Sequence, residues 1–321
     1  MVNQGFKTKL ERIKANLNKV VVGKERVFEL VLTALLARGH VLLEDVPGVG
    51  KTLMAKTLAK SLDLKFRRIQ CTPDLLPSDV LGVNVYNQKT SEFEFRSGPI
   101  MTNILLADEI NRATPKTQSS LLEVMEEGQF TIEGVTRHQE YPFMVIATQN
   151  PIEMEGTFPL PEAQLDRFLM RISFGYPTFD EEKEILHRFG KADPLDEIKP
   201  VINRRELIKI QSYVNTIYVD EVVENYMLKI VRETRVHPEV SLGASPRASL
   251  LFLRCARALA AVRGRAFVIP DDVKALAVPV LSHRILLSSR SFLRNVRSED
   301  VIEEITDKIP VPVENLEEWG N

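Results

Sequence analysis

Several short stretches of this 321-residue chain combine residue types that together could bind a polyphosphate and cleave it. The first is Glu44-Asp45-Val46-Pro47-Gly48-Val49-Gly50-Lys51-Thr52. Gly48 and Gly50 let the backbone turn with its N–H groups inward, and a helical pattern from Leu53 adds the positive end of a helix dipole to the same anion site. Lys51 would reach the outer phosphates as a compact point charge, and the Thr52 hydroxyl would ligate the magnesium that accompanies a nucleoside triphosphate. Pro47, Gly48, Val49, Gly50, Lys51, Thr52 and Leu53 are therefore the candidate nucleotide-binding residues. The usual pattern has glycine six positions before the lysine, where this chain has Asp45. Aspartate tolerates left-handed backbone angles well enough for the turn to survive.

Further along, Ile104-Leu105-Leu106-Ala107 ends in Asp108-Glu109. Paired acids at the carboxyl end of a buried strand suit a metal-positioning acid, Asp108, and a water-activating acid, Glu109. A second apolar run, Phe143 to Ala147, ends in Thr148-Gln149-Asn150. The Asn150 amide could position the water or read the outer phosphate; otherwise it is a turn residue before Pro151. Arg167 could stabilise charge on a phosphoryl group in a neighbouring subunit's site, or could be a surface arginine paired with Asp166 or Glu162. Arg247 stands at a helix start, Ser245-Pro246-Arg247, as an outer-phosphate sensor or a solvated first-turn residue. Upstream, Val22-Gly23 is either a clasp for the adenine ring or a helix break.

These residues need a framework of buried strands alternating with helices. Val41-Leu42-Leu43 precedes the loop, Phe66 to Cys71 reads as the next buried strand, and Phe168 to Phe174 as the last. Leu10, Ile13, Leu17 and Val20 mark an amphipathic helix, and Val27, Leu30, Val31, Ala34 and Leu35 a second. The period changes to two around residues 83–96 and again around 130–141, which predicts β-hairpins inserted in the βα alternation. Tyr86, Phe93 and Phe95 would be hairpin core or a contact surface. After Pro177 the pattern is helical, opening with a Thr178–Glu181 capping box and continuing over roughly 204–215, 221–235, 246–263 and 271–281. The domains predicted are thus 1–177, an α/β nucleotide-binding core, and 178–321, a helical lid. His283 and the arginines Arg284, Arg290, Arg294 and Arg297 read as a solvated or subunit-facing surface.

Composition sets the outer limits. At 44% hydrophobic and 27% charged residues with a net charge of −2, the chain is of ordinary globular type and has no bulk electrostatic drive toward nucleic acid or anionic membrane. Its two cysteines, Cys71 and Cys255, form neither a metal spacing nor a disulfide framework. No apolar run has the length of a membrane span and the start carries too many charges for a signal peptide, so a cytoplasmic location is expected.

The stretches Gly39-His40-Val41-Leu42-Leu43-Glu44, Ala107-Asp108-Glu109-Ile110-Asn111-Arg112, Ala147-Thr148-Gln149-Asn150-Pro151, Pro161 to Phe168 and Gly243-Ala244-Ser245-Pro246-Arg247 together resemble the MoxR family of AAA+ ATPases. The resemblance implies an α/β P-loop core whose parallel five-stranded sheet has the order 5-1-4-3-2, with inserted hairpins and a small all-α lid domain. It implies hexameric rings that hydrolyse ATP with magnesium between subunits. By position, Lys51 and Thr52 match Walker A, Asp108 and Glu109 Walker B, Asn150 the first sensor, Arg167 the finger and Arg247 the second sensor. It further implies remodelling or activation of client proteins, sometimes for metal insertion, often beside a von Willebrand factor A-domain protein. A nucleic-acid-translocating motor is the alternative, disfavoured by the acidic balance and the lack of a helix-turn-helix module. A nucleotide-gated binding module with little turnover is a third reading, which Glu109 and Asn150 argue against.

Overall fold

The computed structural model describes residues 4–44, 48–150, 156–190 and 193–312. Asp45, Val46 and Pro47 of the glycine-bearing loop and the tail from Val313 lie outside the described residues. Of the described residues, those from Gln4 to Ser212 form one compact unit and those from Tyr213 onward another.

The first unit is organised by five parallel strands. They are β1 (Val41–Glu44), β2 (Phe66–Gln70), β3 (Ile104–Asp108), β4 (Met144–Gln149) and β5 (Met170–Ser173). Their order is β2-β3-β4-β1-β5, which is the 5-1-4-3-2 arrangement. β1 is central: Val41 pairs with Ile146 on one side and Met170 on the other. The runs 104–107 and 144–147 are wholly buried, as strands covered on both faces must be. β2 differs from the buried strand predicted. It is a sheet edge with one neighbour, and only Ile69 of its five residues is buried, leaving Arg67, Arg68 and Gln70 exposed.

Helices cover this sheet through the apolar positions read from the sequence. α1 (Gln4–Val20) buries Leu10, Ile13, Leu17 and Val20. α2 (Glu25–Leu36) buries Val27, Leu30, Val31, Ala34 and Leu35. α3 (Lys51–Ser61) follows β1, and α4 (Pro115–Glu127) follows β3, with Thr114 before its first-turn proline and Gly128 closing it at φ 63°. Buried His40, at the mouth of β1, accepts the Val145 N–H at Nδ1 and faces the Met125 carbonyl through Nε2, so one ring ties β4 to the end of α4.

Both hairpins are present. Gly82–Asn87 pairs with Glu92–Ser97, and Gln129–Ile132 with Val135–His138. Gly82 and Gly98 close the first at its base, where a Cβ on Gly82 would lie 2.4 Å from the Arg96 carbonyl. Tyr86 and Phe93 meet edge to face, ring centroids 5.3 Å apart, yet both remain exposed. Asn84 donates to Glu133 at 2.6 Å and the Arg137 guanidinium lies 3.6 Å from the Phe95 ring centroid, so the hairpins brace each other.

The capping box forms as expected: the Thr178 N–H donates to Glu181 Oε2 at 2.7 Å at the head of the helix Phe179–Phe189. The division between compact units, however, falls after Ser212 and not after Pro177. Asn16 donates to the Lys199 carbonyl at 3.0 Å and Gln211 to the Leu35 carbonyl at 2.7 Å, holding the 198–212 stretch on the α/β unit. The second unit contains the helices Glu221–Glu233, Pro246–Val262, Pro270–Leu281 and Ser298–Lys308 and a short ladder of Val240–Leu242 with Leu286–Leu287. Its Asp272 is fully buried and takes Arg263 at 3.0 Å and Arg265 at 2.6 and 2.7 Å. His283, expected at a surface, is buried, its Nε2 2.7 Å from Arg284 Nη1.

Candidate nucleotide site

Parallel strands deliver their carboxyl ends to one edge of the sheet, which is where open α/β folds bind ligands. Here that edge opens into a cleft of about 380 Å³, lined by Gly48, Gly50, Lys51, Thr52 and Leu53 and by the strand ends of β2, β3 and β4. Gly48 at φ 85° and Gly50 at φ 98° take left-handed angles that favour glycine, and Gly50 is the residue from which α3 springs. The positive end of α3 is thereby set at the cleft, with Lys51 and Thr52 in its first turn.

Asp108 and Glu109 line the same cleft. Thr148 at the end of β4 touches both residues: its hydroxyl donates to Asp108 Oδ1 at 2.6 Å and accepts the Glu109 backbone N–H at 2.9 Å. Glu109 has φ 56° and ψ 52°, a left-handed conformation costing a non-glycine residue about 1 kcal/mol. That turn swings the chain from β3 into the short helical turn Ile110–Arg112. Glu109 Oε2 receives Gln70 Nε2 at 2.9 Å and Arg112 Nη1 at 3.2 Å. Arg68 donates to Asp108 Oδ2 through Nε at 3.1 Å and Nη2 at 2.6 Å. Next to these acids the buried Cys71 thiol is pushed up to about 12, by desolvation and then by the field of Asp108 and Glu109, so it stays a thiol.

Asn150 is buried and also lines the cleft. Val22 is buried and Gly23 turns at φ 69°; neither lines the cleft, although Val21 Cγ1 lies 3.9 Å from where a Cβ on Gly50 would sit. Pro47 lies outside the described residues. Arg167 is away from the cleft lining, and its partner is neither Asp166 nor Glu162: Nε meets Glu126 Oε2 of α4 at 3.0 Å. Arg247 is exposed in the second unit, in the first turn of Pro246–Val262, where Ser245 accepts the Ala248 N–H at 3.4 Å. Arg68, Gln70, Thr148 and Gln149 complete the lining and are not among the residues that sequence reasoning assigns to the site. The alternation of polar with apolar residues in Phe66-Arg67-Arg68-Ile69-Gln70 is the available signal for the first two.

The donor set suits a triphosphate and its metal. Thr52 and Asp108 offer a hydroxyl and a carboxylate across one cleft, the hard oxygens that magnesium takes while keeping waters and phosphate oxygens for its other positions. Among the described residues no cluster of three or more His, Cys, Asp or Glu forms a cage of protein ligands alone. No described helix is long and apolar enough to cross a membrane.

Comparison with known proteins agrees with this architecture. The family profile "ATPase family associated with various cellular activities (AAA)" matches residues 40–170, and an AAA lid domain matches 232–305. The chain is 44% identical to chaperone MoxR1 of Mycobacterium tuberculosis over 315 residues, covering 95% of this chain and 83% of the relative. It is 52% identical to the uncharacterized protein YeaC of Bacillus subtilis over 299 residues, 93% of each. A crystal structure of a provisionally assigned ATPase from Cytophaga hutchinsonii superposes with a TM-score of 0.90 at 38% identity, covering 96% of both chains. With glycine loop, strand-end acids and lid all matched along nearly its whole length, this chain belongs to the MoxR family of AAA+ ATPases.

Proposed function

We propose that the chain is a magnesium-dependent ATP hydrolase that works in the cytoplasm as a homo-oligomeric, hexameric ring and remodels or activates a client protein, including by metal-cofactor maturation. The observation that carries the reading is the cleft that Lys51 and Thr52 line together with Asp108, Glu109 and Asn150. A relative named as a chaperone supports a protein client. A von Willebrand factor A-domain protein is the partner proposed beside it.

In this reading Val22 and Gly23 flank the adenine, and the backbone of the loop with Lys51 holds the phosphates. Thr52 and Asp108 hold magnesium, which when bound neutralises phosphate charge. Glu109 accepts a proton from the attacking water, and Asn150 orients that water. Arg167 acts on the site of the adjacent subunit, and Arg247 responds to the outer phosphate. The catalytic core then lies in the α/β unit that ends at Ser212, and the helical unit from Tyr213 carries the lid.

Steady-state phosphate release tests this directly. The wild type is expected to turn over ATP with magnesium, and Glu109→Gln to bind ATP with undiminished affinity while losing hydrolysis. Normal turnover in Glu109→Gln removes Glu109 from its role, and no turnover in the assembled wild type removes the hydrolase reading. The arrested form, purified in ATP, should retain its client.

A further inference from the structure

Arg68 is the least expected residue of the cleft. It projects from the edge strand β2, and its guanidinium places two nitrogens on a single oxygen of Asp108, at 3.1 and 2.6 Å. The other Asp108 oxygen is taken by the Thr148 hydroxyl at 2.6 Å, so the carboxylate is held between a cation and a neutral donor. Arg68 Nη2 is anchored in turn by Gln70 Oε1 at 2.6 Å. The Asp108 side chain is 17% exposed and that of Arg68 46%, so the guanidinium that meets the acid is the more solvated partner of the pair. Lys51 and Thr52 line the same cleft.

A carboxylate facing an anion site is electrostatically awkward before a metal arrives. It repels the incoming phosphates, and it attracts any free divalent cation. A guanidinium paired with the acid answers both problems: it supplies positive charge while Asp108 has no metal, and it yields because its stem is long and half in solvent. We propose that Arg68 is a positioning residue that serves as a displaceable stand-in for the metal at Asp108, suppressing metal binding to the nucleotide-free chain and making nucleotide binding less dependent on metal. This rests on the reading of the cleft as a nucleotide–magnesium site.

The consequence separates Arg68 from a residue that only stabilises β2. Removing its charge should strengthen metal binding to the empty site and weaken metal-free nucleotide binding, two changes of opposite sign. Loss of fold would weaken both.

The test uses the full chain as wild type, Arg68→Met and Arg68→Lys. Mn²⁺ alone is titrated onto nucleotide-free protein and followed by its paramagnetic signal. A non-hydrolysable fluorescent ATP analogue is titrated separately with magnesium and with a chelator. Arg68→Met is expected to bind Mn²⁺ more tightly by about threefold or more, the scale of a part-exposed ion pair, and to show a larger ratio between chelator and magnesium dissociation constants. Arg68→Lys, which keeps the charge and loses the paired contacts, should fall between. Unchanged Mn²⁺ affinity in folded Arg68→Met, or a parallel weakening of both nucleotide constants, overturns the proposal. Failure of the underlying reading looks different: wild type and Lys51→Ala would then bind the analogue equally, whatever Arg68 does.

Discussion

The Thr148 hydroxyl donates to Asp108 Oδ1 at 2.6 Å, and as acceptor it fixes the backbone N–H of Glu109 at 2.9 Å. One side chain on β4 therefore holds the Asp108 carboxylate at the end of β3 and the backbone of Glu109 just beyond it, although β3 and β4 pair regularly only as far as Ala107 with Ala147. Thr148 is 1% exposed. Replacing it by valine keeps shape and burial but leaves a carboxylate oxygen and an N–H without their partner, a loss of about 1–3 kcal/mol. Thr148→Val should lower kcat by about tenfold, the equivalent of 1.4 kcal/mol, while Thr148→Ser retains most of it. Phosphate release with circular dichroism as a folding control checks this; equal kcat in Val and wild type would remove the orienting role.

Much of this site is legible in the sequence because its chemistry is local. Short, wholly apolar runs such as Ile104 to Ala107 suit strands buried on both faces, and the polar residues after them then stand at the sheet edge. Arg68 and Gln70 escape sequence reasoning for a physical reason: whether a strand lies at the edge or the centre depends on its neighbours in space. Apolar Phe66, Ile69 and Cys71 make β2 look interior. Glu126 as the partner of Arg167 is equally illegible, since it requires α4 and the turn before β5 to meet. The helix Ser298–Lys308 is hidden beside an arginine-bearing run, and buried His283 reads as exposed by association with the same arginines.

Arg167 leads to a prediction about assembly. Its guanidinium is held by Glu126 and does not line its own chain's cleft. If it serves a neighbour, Arg167→Ala and Lys51→Ala are each inactive alone, because one lacks the arginine and the other the phosphate lysine. Mixed in equal amounts they should recover about a quarter of wild-type turnover, the share of interfaces pairing an intact loop with an intact arginine in a head-to-tail ring. Inactive mixtures in which native mass spectrometry shows both variants in one assembly would remove the trans role.

In the second unit, Asp272 is fully buried against Arg263 and Arg265 and also accepts the Ile269 N–H at 3.0 Å. Asp272→Ala removes the buried carboxylate that two guanidinium groups and a backbone donor share, which should destabilise that unit by about 3–5 kcal/mol. Asp272→Asn keeps the acceptor for Ile269 and should lose less. Hydrogen exchange resolved along the chain reads the unit separately; unchanged protection across Pro246–Val262 and Pro270–Leu281 in Asp272→Ala would contradict the clamp.

His40 sets an acid limit on the sheet. Complete burial lowers its pKa from 6.5 to about 4, since a charged ring there would lose its hydration; the Met125 carbonyl opposes this only in part. Nδ1 must also stay unprotonated to accept the Val145 N–H. The unfolded chain therefore binds a proton between pH 6.5 and 4 that the folded chain refuses, so stability falls as pH falls through that window. The contribution is complete above pH 6.5 and amounts to about 3 kcal/mol. His40→Gln, which keeps an acceptor and a donor but does not titrate, should be less stable at pH 7.5 and should lose less stability than the wild type between pH 6.5 and 4.5. Parallel melting-temperature profiles for the two proteins across that range would show that His40 is not the group responsible.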